Sequence, residues 1–301
     1  MADRAWRFTI VAPAGFATDP PAVDRAVARL EGLGHRVRCD PTSRSRWQRF
    51  SASDDERLAA IARVAAADDI DIALMLRGGY GFTRLLDRID FAAIAQSRKR
   101  WIGHSDFTAF QLAALAAAGI VTFAGPMASY DFGATPPSAF MLEQCFGVLD
   151  NESWEVGCAL DGPSCTAQSG TLWGGNLALV AHLVGTRHLP DIAGGILFLE
   201  DVGEHPYRIE RMLYQLLHAG ILERQRAVLL GDFTEYQLNA NDDGYDLATA
   251  IAHIRSRVAV PIYTGLPFGH VPDKLTLPVG GRCSLDARDG HATLRLSEYG
   301  A

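Results

Sequence analysis

Ser105 follows a short apolar strand, Trp101-Ile102-Gly103, and directly precedes an Ala- and Leu-rich helix expected over residues 108–118. Strand, sharp turn, serine and helix make a nucleophile elbow. The turn lifts the hydroxyl to the top of a sheet and leaves the N–H groups at the helix start free to bind an anion. The usual spacing is Gly-x-Ser-x-Gly, and Phe107 holds the second glycine position here. The plainer account of the same residues is a serine N-cap with Asp106 in the first helical turn.

A serine nucleophile needs a base, a group that orients the base, and donors for the oxyanion. The candidate base is His270, inside the Gly/Pro-rich segment Leu266-Pro267-Phe268-Gly269-His270-Val271-Pro272. A loop made rigid by glycine and proline suits a fixed imidazole better than a helix surface does. The candidate orienter is Glu200, which ends the apolar run of residues 195–199, with Asp201 as its rival. A carboxylate at the end of a buried strand needs a partner, and an imidazole N–H is one. Alternation does not separate Glu200 from Asp201, because every preceding position of that run is apolar or glycine. Oxyanion donors are expected at the N–H of Asp106 and at Gly79 of the Gly78-Gly79 turn, where missing side chains let a substrate approach the backbone. Arg77 beside that turn can clamp a carboxylate through its planar fork. No His/Cys cluster has metal-site spacing, so no metal is expected.

These residues need elements to hold them. The first half alternates strand and helix: strands at residues 8–12, 35–39, 70–76, 101–103 and 120–123, and helices at 22–33, 54–67, 82–88, 91–96 and 108–118. Such alternation implies a parallel, Rossmann-like sheet with ligands at the carboxyl ends of its strands. That rule selects the loop of residues 77–81 and the Ser105 turn, both on one sheet edge. Glycines and prolines interrupt residues 125–169, around one helix at 138–149. The second half reads as strand 171–175, helix 176–184, strand 195–199, helix 206–218, strand 227–231 and helix 246–257. A tail of two or three antiparallel strands over 275–296 follows, with turns at Gly280-Gly281 and Asp289-Gly290. The expected fold class is therefore α/β, with residues 1–135 carrying the nucleophile, 136–168 crossing over, and an α+β unit at 169–301 carrying Glu200 and His270.

Composition narrows the partners. The chain has 301 residues, 48% hydrophobic and 21% charged, with a net charge of −7. A net acidic balance argues against a nucleic-acid partner, which calls for a basic face. The first eleven residues lack the pattern of a secretory signal, and no apolar run reaches the roughly 20 residues that span a bilayer. Five scattered cysteines fit free thiols in a reducing cytoplasm.

Taken together, Arg77-Gly-Gly-Tyr-Gly81, Gly103-His-Ser105-Asp106-Phe-Thr108, Gly174-Gly-Asn-Leu177, Leu199-Glu200-Asp201 followed by Pro206-Tyr207 and Arg211, and Gly269-His270 resemble the LD-carboxypeptidases in type and order. These serine peptidases form one family with the microcin C immunity proteins. The resemblance runs from Val11 to the tail. It implies a Ser105–His270–Glu200 triad, which chooses Glu200 over Asp201, and substrate contacts at Arg77, Tyr80, Asn176 and Tyr207. It also implies a barrel-like sheet in the second unit, a homodimer, and release of terminal D-Ala from murein tetrapeptides during wall recycling, with no metal or organic cofactor needed. Two alternatives accompany it. One is a microcin-immunity-type hydrolase of aminoacyl nucleotide analogues, with Trp173 as the candidate surface for stacking an adenine. The other is a non-catalytic peptide-binding module that kept the pocket. His104 stands where many relatives carry an aromatic or aliphatic residue, and its side chain is expected to point away from the nucleophile's side of the turn.

Overall fold

The structure is a computed structural model and describes residues 4–300; residues 1–3 and 301, at the outer ends of the expected first and last units, lie outside the described residues. The first half runs β1 (Arg7–Val11), α1 (Pro20–Gly32), β2 (Arg36–Cys39), α2 (Asp54–Ala66), β3 (Ile72–Met75), α3 (Phe91–Ser97), β4 (Arg100–Gly103), α4 (Phe107–Ala118) and β5 (Thr122–Ala124). Local chemistry places the ends of these helices. Prolines pre-set for helical φ open α1, and Ser53 and Glu56 close a reciprocal capping box on α2. Gly119, at φ 64°, ends α4 in the left-handed conformation. Strands β2-β1-β3-β4-β5 are parallel in that order. All four residues of β3 are buried, as a strand covered on both faces requires.

The rest comprises α5 (Ala139–Asp150), β6 (Trp154–Ala159), β7 (Cys165–Asn176), α6 (Leu177–Leu183), β8 (Ile196–Val202), α7 (Pro206–His218), β9 (Ala227–Thr234), α8 (Leu247–Arg255), β10 (Ile262–Thr264), β11 (Leu277–Val279), β12 (Arg282–Arg288) and β13 (His291–Ser297). The second sheet has the order β10-β9-β8-β7-β12-β13-β6, parallel from β10 to β7 and antiparallel beyond. Its two edges meet: Asp161, just past β6, exchanges both backbone hydrogen bonds with Thr264 of β10, each 2.9 Å. The sheet therefore curls into a barrel-like form.

Several expected elements differ. Residues 82–88 form two short 3₁₀ turns, Phe82–Arg84 and Leu86–Arg88, rather than a helix. The N–H of Phe82 is taken by the Asp106 carboxylate and the carbonyl of Gly81 by Arg57, so the backbone is held by tertiary partners. Strands β6 and β10 were not foreseen. The first is an edge strand in a Gly-punctuated stretch and the second has three residues. The Gly280-Gly281 turn does not join neighbours in one antiparallel tail. β11 pairs antiparallel with β5 of the first sheet, whereas β12 belongs to the second. The chain thus crosses from the second sheet to the first between β10 and β11, and His270 lies on that crossing.

Leu277 on β11 is fully buried. Replacing it with Ala should lower unfolding stability by about 2–5 kcal/mol, the range for deleting a buried leucine side chain. Urea titration of Leu277→Ala checks this. A loss near zero would mean that β11 does not hold the crossing chain to the first sheet.

Candidate active site

Ser105 lies between the end of β4 and the start of α4, at φ 64°. A non-glycine residue in the left-handed region is uncommon, and such strain collects at functional turns. Asp106 follows as the cap residue, yet its side chain makes no cap hydrogen bond to the helix. Its buried carboxylate instead accepts the N–H of Phe82 at 3.0 Å, tying the loop after β3 to the serine turn. Burial pushes this carboxyl up to about 6. Arg57, fully buried, supports the same loop by donating to the carbonyls of Pro13 and Gly81.

The Gly78-Gly79 pair sits beside the serine. A Cβ on Gly78 would fall 2.6 Å from Ser105 Oγ and 3.2 Å from the Asp106 nitrogen, so only glycine lets this backbone lie against the hydroxyl. The carbonyl of Gly78 accepts the N–H of Gly15 at 3.1 Å, which turns the trans N–H of Gly79 the other way. Among the described residues, no backbone carbonyl takes the N–H of Gly79 or Asp106. Both remain available to an anion.

Glu200 and His270 come from the second sheet and the crossing loop. His270 Nδ1 is 2.7 Å from Glu200 Oε2, with the glutamate side chain wholly buried and the imidazole 20% exposed. This contact favours Glu200 over Asp201 as the partner of His270. Asp201 turns away and accepts hydrogen bonds from Asn176 Nδ2 at 2.8 Å, from the N–H of Ala178 at 2.9 Å and from its neighbour Val202. Burial, with Glu200 beside it, pushes the Asp201 carboxyl up to about 6.

Ser105 and His270 line one cavity of about 460 Å³, together with Arg77, Gly78, Gly79 and His104. A larger surface groove of about 740 Å³, walled mainly by α2 and α3, holds no pairing of nucleophile and base. In the smaller cavity a hydroxyl, an imidazole held by a buried carboxylate, and the backbone of Gly79 share one space, and the N–H of Asp106 directly follows the hydroxyl in sequence. That combination can carry acyl transfer. Arg77 makes no ion pair among the described residues, and its buried Nε has no partner. Its guanidinium reaches only the Phe16 carbonyl at 3.4 Å and the face of Tyr130.

The other expected contacts lie elsewhere. Tyr80 packs near Phe50 and Tyr207 near His205, both exposed and neither on the cavity wall. Asn176 is buried behind Glu200, donating to it at 3.3 Å. Its own N–H reaches Thr108 Oγ1 on α4 at 3.0 Å, so it links the acid to the nucleophile's helix. Trp173 is core, its Nε1–H on Gln225, and offers no stacking face. His104 corrects the expectation of a side chain turned away from the nucleophile. Its ring lies on the cavity wall, edge-on to His270 at 5.1 Å between centroids. Its Nδ1 is fixed 2.8 Å from the Gly125 carbonyl, the neighbouring strand end. Burial, with Lys274 and His270 close by, pushes the imidazole well below its ordinary range.

Sequence reasoning missed Tyr130, Asp131, Glu235 and Lys274, which also line the cavity. Glu235 directly follows β9 and Lys274 lies four residues past His270. The strand-end rule that selected the Ser105 turn applies equally to the end of β9.

Comparison with known proteins places the chain in a family. The LD-carboxypeptidase N-terminal domain family matches residues 9–125 and the LD-carboxypeptidase C-terminal domain family residues 169–285. A probable murein peptide carboxypeptidase of Bacillus subtilis is 30% identical over 288 residues, 95% of this chain and 90% of its own. The murein tetrapeptide carboxypeptidase of Pseudomonas aeruginosa is 30% identical over 302 residues, 94% of this chain and 96% of its own. The crystal structure of a muramoyltetrapeptide carboxypeptidase from Oxalobacter formigenes superposes with a TM-score of 0.93 at 44% identity, over 98% of this chain and 100% of that one. A microcin C7 self immunity protein in complex with aspartyl sulfamoyl adenosine superposes with a TM-score of 0.90 over 99% and 97% of the two chains, at 21% identity, a likeness of fold.

The Asp106 carboxyl titrates higher folded, at about 6, than the roughly 4 of an unfolded aspartate. The folded state therefore holds more protons in that interval, and this group's contribution to stability falls as pH rises from about 4 to about 6. Asp106→Asn keeps an acceptor for Phe82 and removes the titration. Unfolding free energies at pH 4, 5, 6 and 7 should show a weaker decline, or a stronger rise, with pH in the variant. Parallel curves would refute the assignment.

Proposed function

The chain belongs to the LD-carboxypeptidase family, a family of serine carboxypeptidases, and on that premise we propose that it releases the terminal D-Ala from murein tetrapeptides by cleaving the L,D bond after the diamino acid. The observation that carries the reading is the shared cavity of Ser105 and His270, with His270 held at 2.7 Å by the buried Glu200.

In this mechanism Ser105 Oγ attacks the carbonyl of the third residue and its proton passes to His270 Nε2. The N–H groups of Asp106 and Gly79 stabilise the oxyanion. The C–N bond breaks as His270 returns the proton to the amine of the departing D-Ala, leaving an ester on Ser105. Water attacks that ester, gives its proton to His270, and the serine regains it as the acid leaves. Glu200 keeps the Nδ1–H tautomer and stabilises the imidazolium. Arg77 clamps the carboxylate of the leaving residue. Asn176 acts through Glu200 and is a positioning residue.

The nucleophile belongs to a unit of residues 1–135 and the acid and base to one of residues 169–301, joined by 136–168, although β6 of the joining stretch is part of the second sheet and β11 returns to the first. The setting we infer is cytoplasmic recycling of wall peptides by a homodimer. It is supported by family membership and by the scattered thiols, and no described helix is long and apolar enough to cross a membrane. Incubation with a murein tetrapeptide and, separately, with an aminoacyl-sulfamoyl adenosine tests the substrate. D-Ala release without nucleoside release is expected. Nucleoside release alone would move the chain to the immunity-type activity, and turnover of neither would leave a binding module.

Ser105→Ala should lower kcat by several orders of magnitude while tetrapeptide still binds, since losing a triad nucleophile removes the covalent route. A variant retaining a tenth of wild-type turnover would sink the assignment. Glu200→Gln should lower kcat by about a hundredfold or more, because its amide can offer a donor where Nδ1–H needs an acceptor. Asp201→Asn, which does not touch His270, should lower it far less. Side-by-side steady-state kinetics, with circular dichroism to confirm folding, decide the pair; the reverse order would make Asp201 the acid.

A further inference from the structure

Apart from the Glu200–His270 pair, the cavity wall carries four charged side chains: Arg77, Asp131, Glu235 and Lys274. Two of them neutralise each other. Lys274 Nζ lies 2.7 Å from Asp131 Oδ1 with both side chains 3% exposed, and Asp131 Oδ2 also takes the N–H of Met127 at 2.6 Å. Neither of the other two makes an ion pair among the described residues. The cavity therefore presents one unpaired cation, Arg77, and one unpaired carboxylate, Glu235.

Glu235 has a second distinction. It has φ 58°, and with Ser105 at 64° it is one of only two described non-glycine cavity residues in the left-handed region. A glutamate held against its backbone preference at a strand end, exposed and unpaired, is placed by the fold rather than by local propensity. No hydrogen bond within the described chain accounts for it. Its chemistry suits a substrate cation.

We propose that Glu235 receives the free side-chain ammonium of the residue whose carbonyl Ser105 attacks, while Arg77 holds the terminal carboxylate of the residue that leaves. The assignment rests on the L,D-carboxypeptidase reading above and specifies what that site recognises. It makes the amine of the diamino acid, not a second carboxylate on its side chain, the group that is read. With Lys274 committed to Asp131 and Arg77 to the C-terminus, the wall has no further cation for such a carboxylate. Lysine and diaminopimelate should then serve alike at this position.

The test uses the full-length protein and four tetrapeptides, L-Ala-γ-D-Glu-X-D-Ala, with X as meso-diaminopimelate, L-lysine, Nε-acetyl-L-lysine or L-norleucine. D-Ala release gives kcat/KM for each. The diaminopimelate and lysine peptides should agree within a few-fold. Both should exceed the norleucine peptide by about tenfold, the size of one charge pair in a half-open cleft. The acetyl-lysine peptide, which keeps the lysine stem and ε-nitrogen but is uncharged, should fall with norleucine. The lysine preference should shrink as salt rises. In Glu235→Gln the ratio of lysine to norleucine should fall towards one, and in Glu235→Asp it should be partly kept. A wild-type protein indifferent to the amine, or a Glu235→Gln protein that keeps the tenfold ratio, overturns the assignment while the carboxypeptidase reading stands. Release of D-Ala from none of the four peptides overturns both.

Discussion

A carboxylate with no solvent contact must be surrounded by donors, and the side chain of Glu200 is wholly buried. Its partners come from separate parts of the chain. His270 holds one oxygen and Asn176 the other. Asn176 in turn caps α6 and donates its backbone N–H to Thr108 on α4, the helix that begins just after Ser105. The requirement that one buried charge be satisfied thus links the serine turn, the second sheet and the crossing loop. Removing a partner leaves a charge in a low-dielectric interior, and so the network is held as a unit.

The crossing loop is the second constraint. Between β10 and β11 the chain leaves one sheet for the other, and His270 must stop at a defined point on the way. Behind it, the Lys274–Asp131 pair joins the loop to the segment after β5, and Asp273 accepts a hydrogen bond from Ser138. Pairing of β11 with β5 completes the attachment. On the opposite side, Asp106 and Arg57 fix the Gly78–Gly81 backbone against Ser105. His270 and the Gly78–Gly81 backbone are thereby attached to one scaffold even though almost two hundred residues of sequence separate them.

His104 shows how this packing changes a side chain's role. Local geometry alone turns it away from the nucleophile. The carbonyl of Gly125, at the neighbouring strand end, captures its Nδ1 and leaves the ring edge-on to His270. A neutral imidazole there shapes the cavity without adding a competing charge.

Much of the first half was legible in the sequence because its signals are local. Continuous apolar runs mark doubly covered strands, and prolines, a capping box and a left-handed glycine mark helix ends. The Ser105 turn is written in adjacent residues, and the Gly78-Gly79 turn beside it follows from the rule that ligands sit at strand ends. Glu200 and Asp201 were equivalent by alternation, since the preceding run is apolar throughout. Only the bulge in β8 between Leu199 and Asp201, with His270 brought across, separates them. Likewise Asn176, expected to face substrate, is drawn behind Glu200, and Tyr80 and Tyr207 face away from the cavity. The sequence by itself determined which residue types and which turns were present, because those depend on neighbours within a few positions. The tertiary structure alone decided which charges pair and which stay open: Lys274 with Asp131, and Arg77 and Glu235 left unpaired on the wall. Such pairings join positions more than a hundred residues apart and follow from desolvation, which depends on the packed fold and not on local sequence.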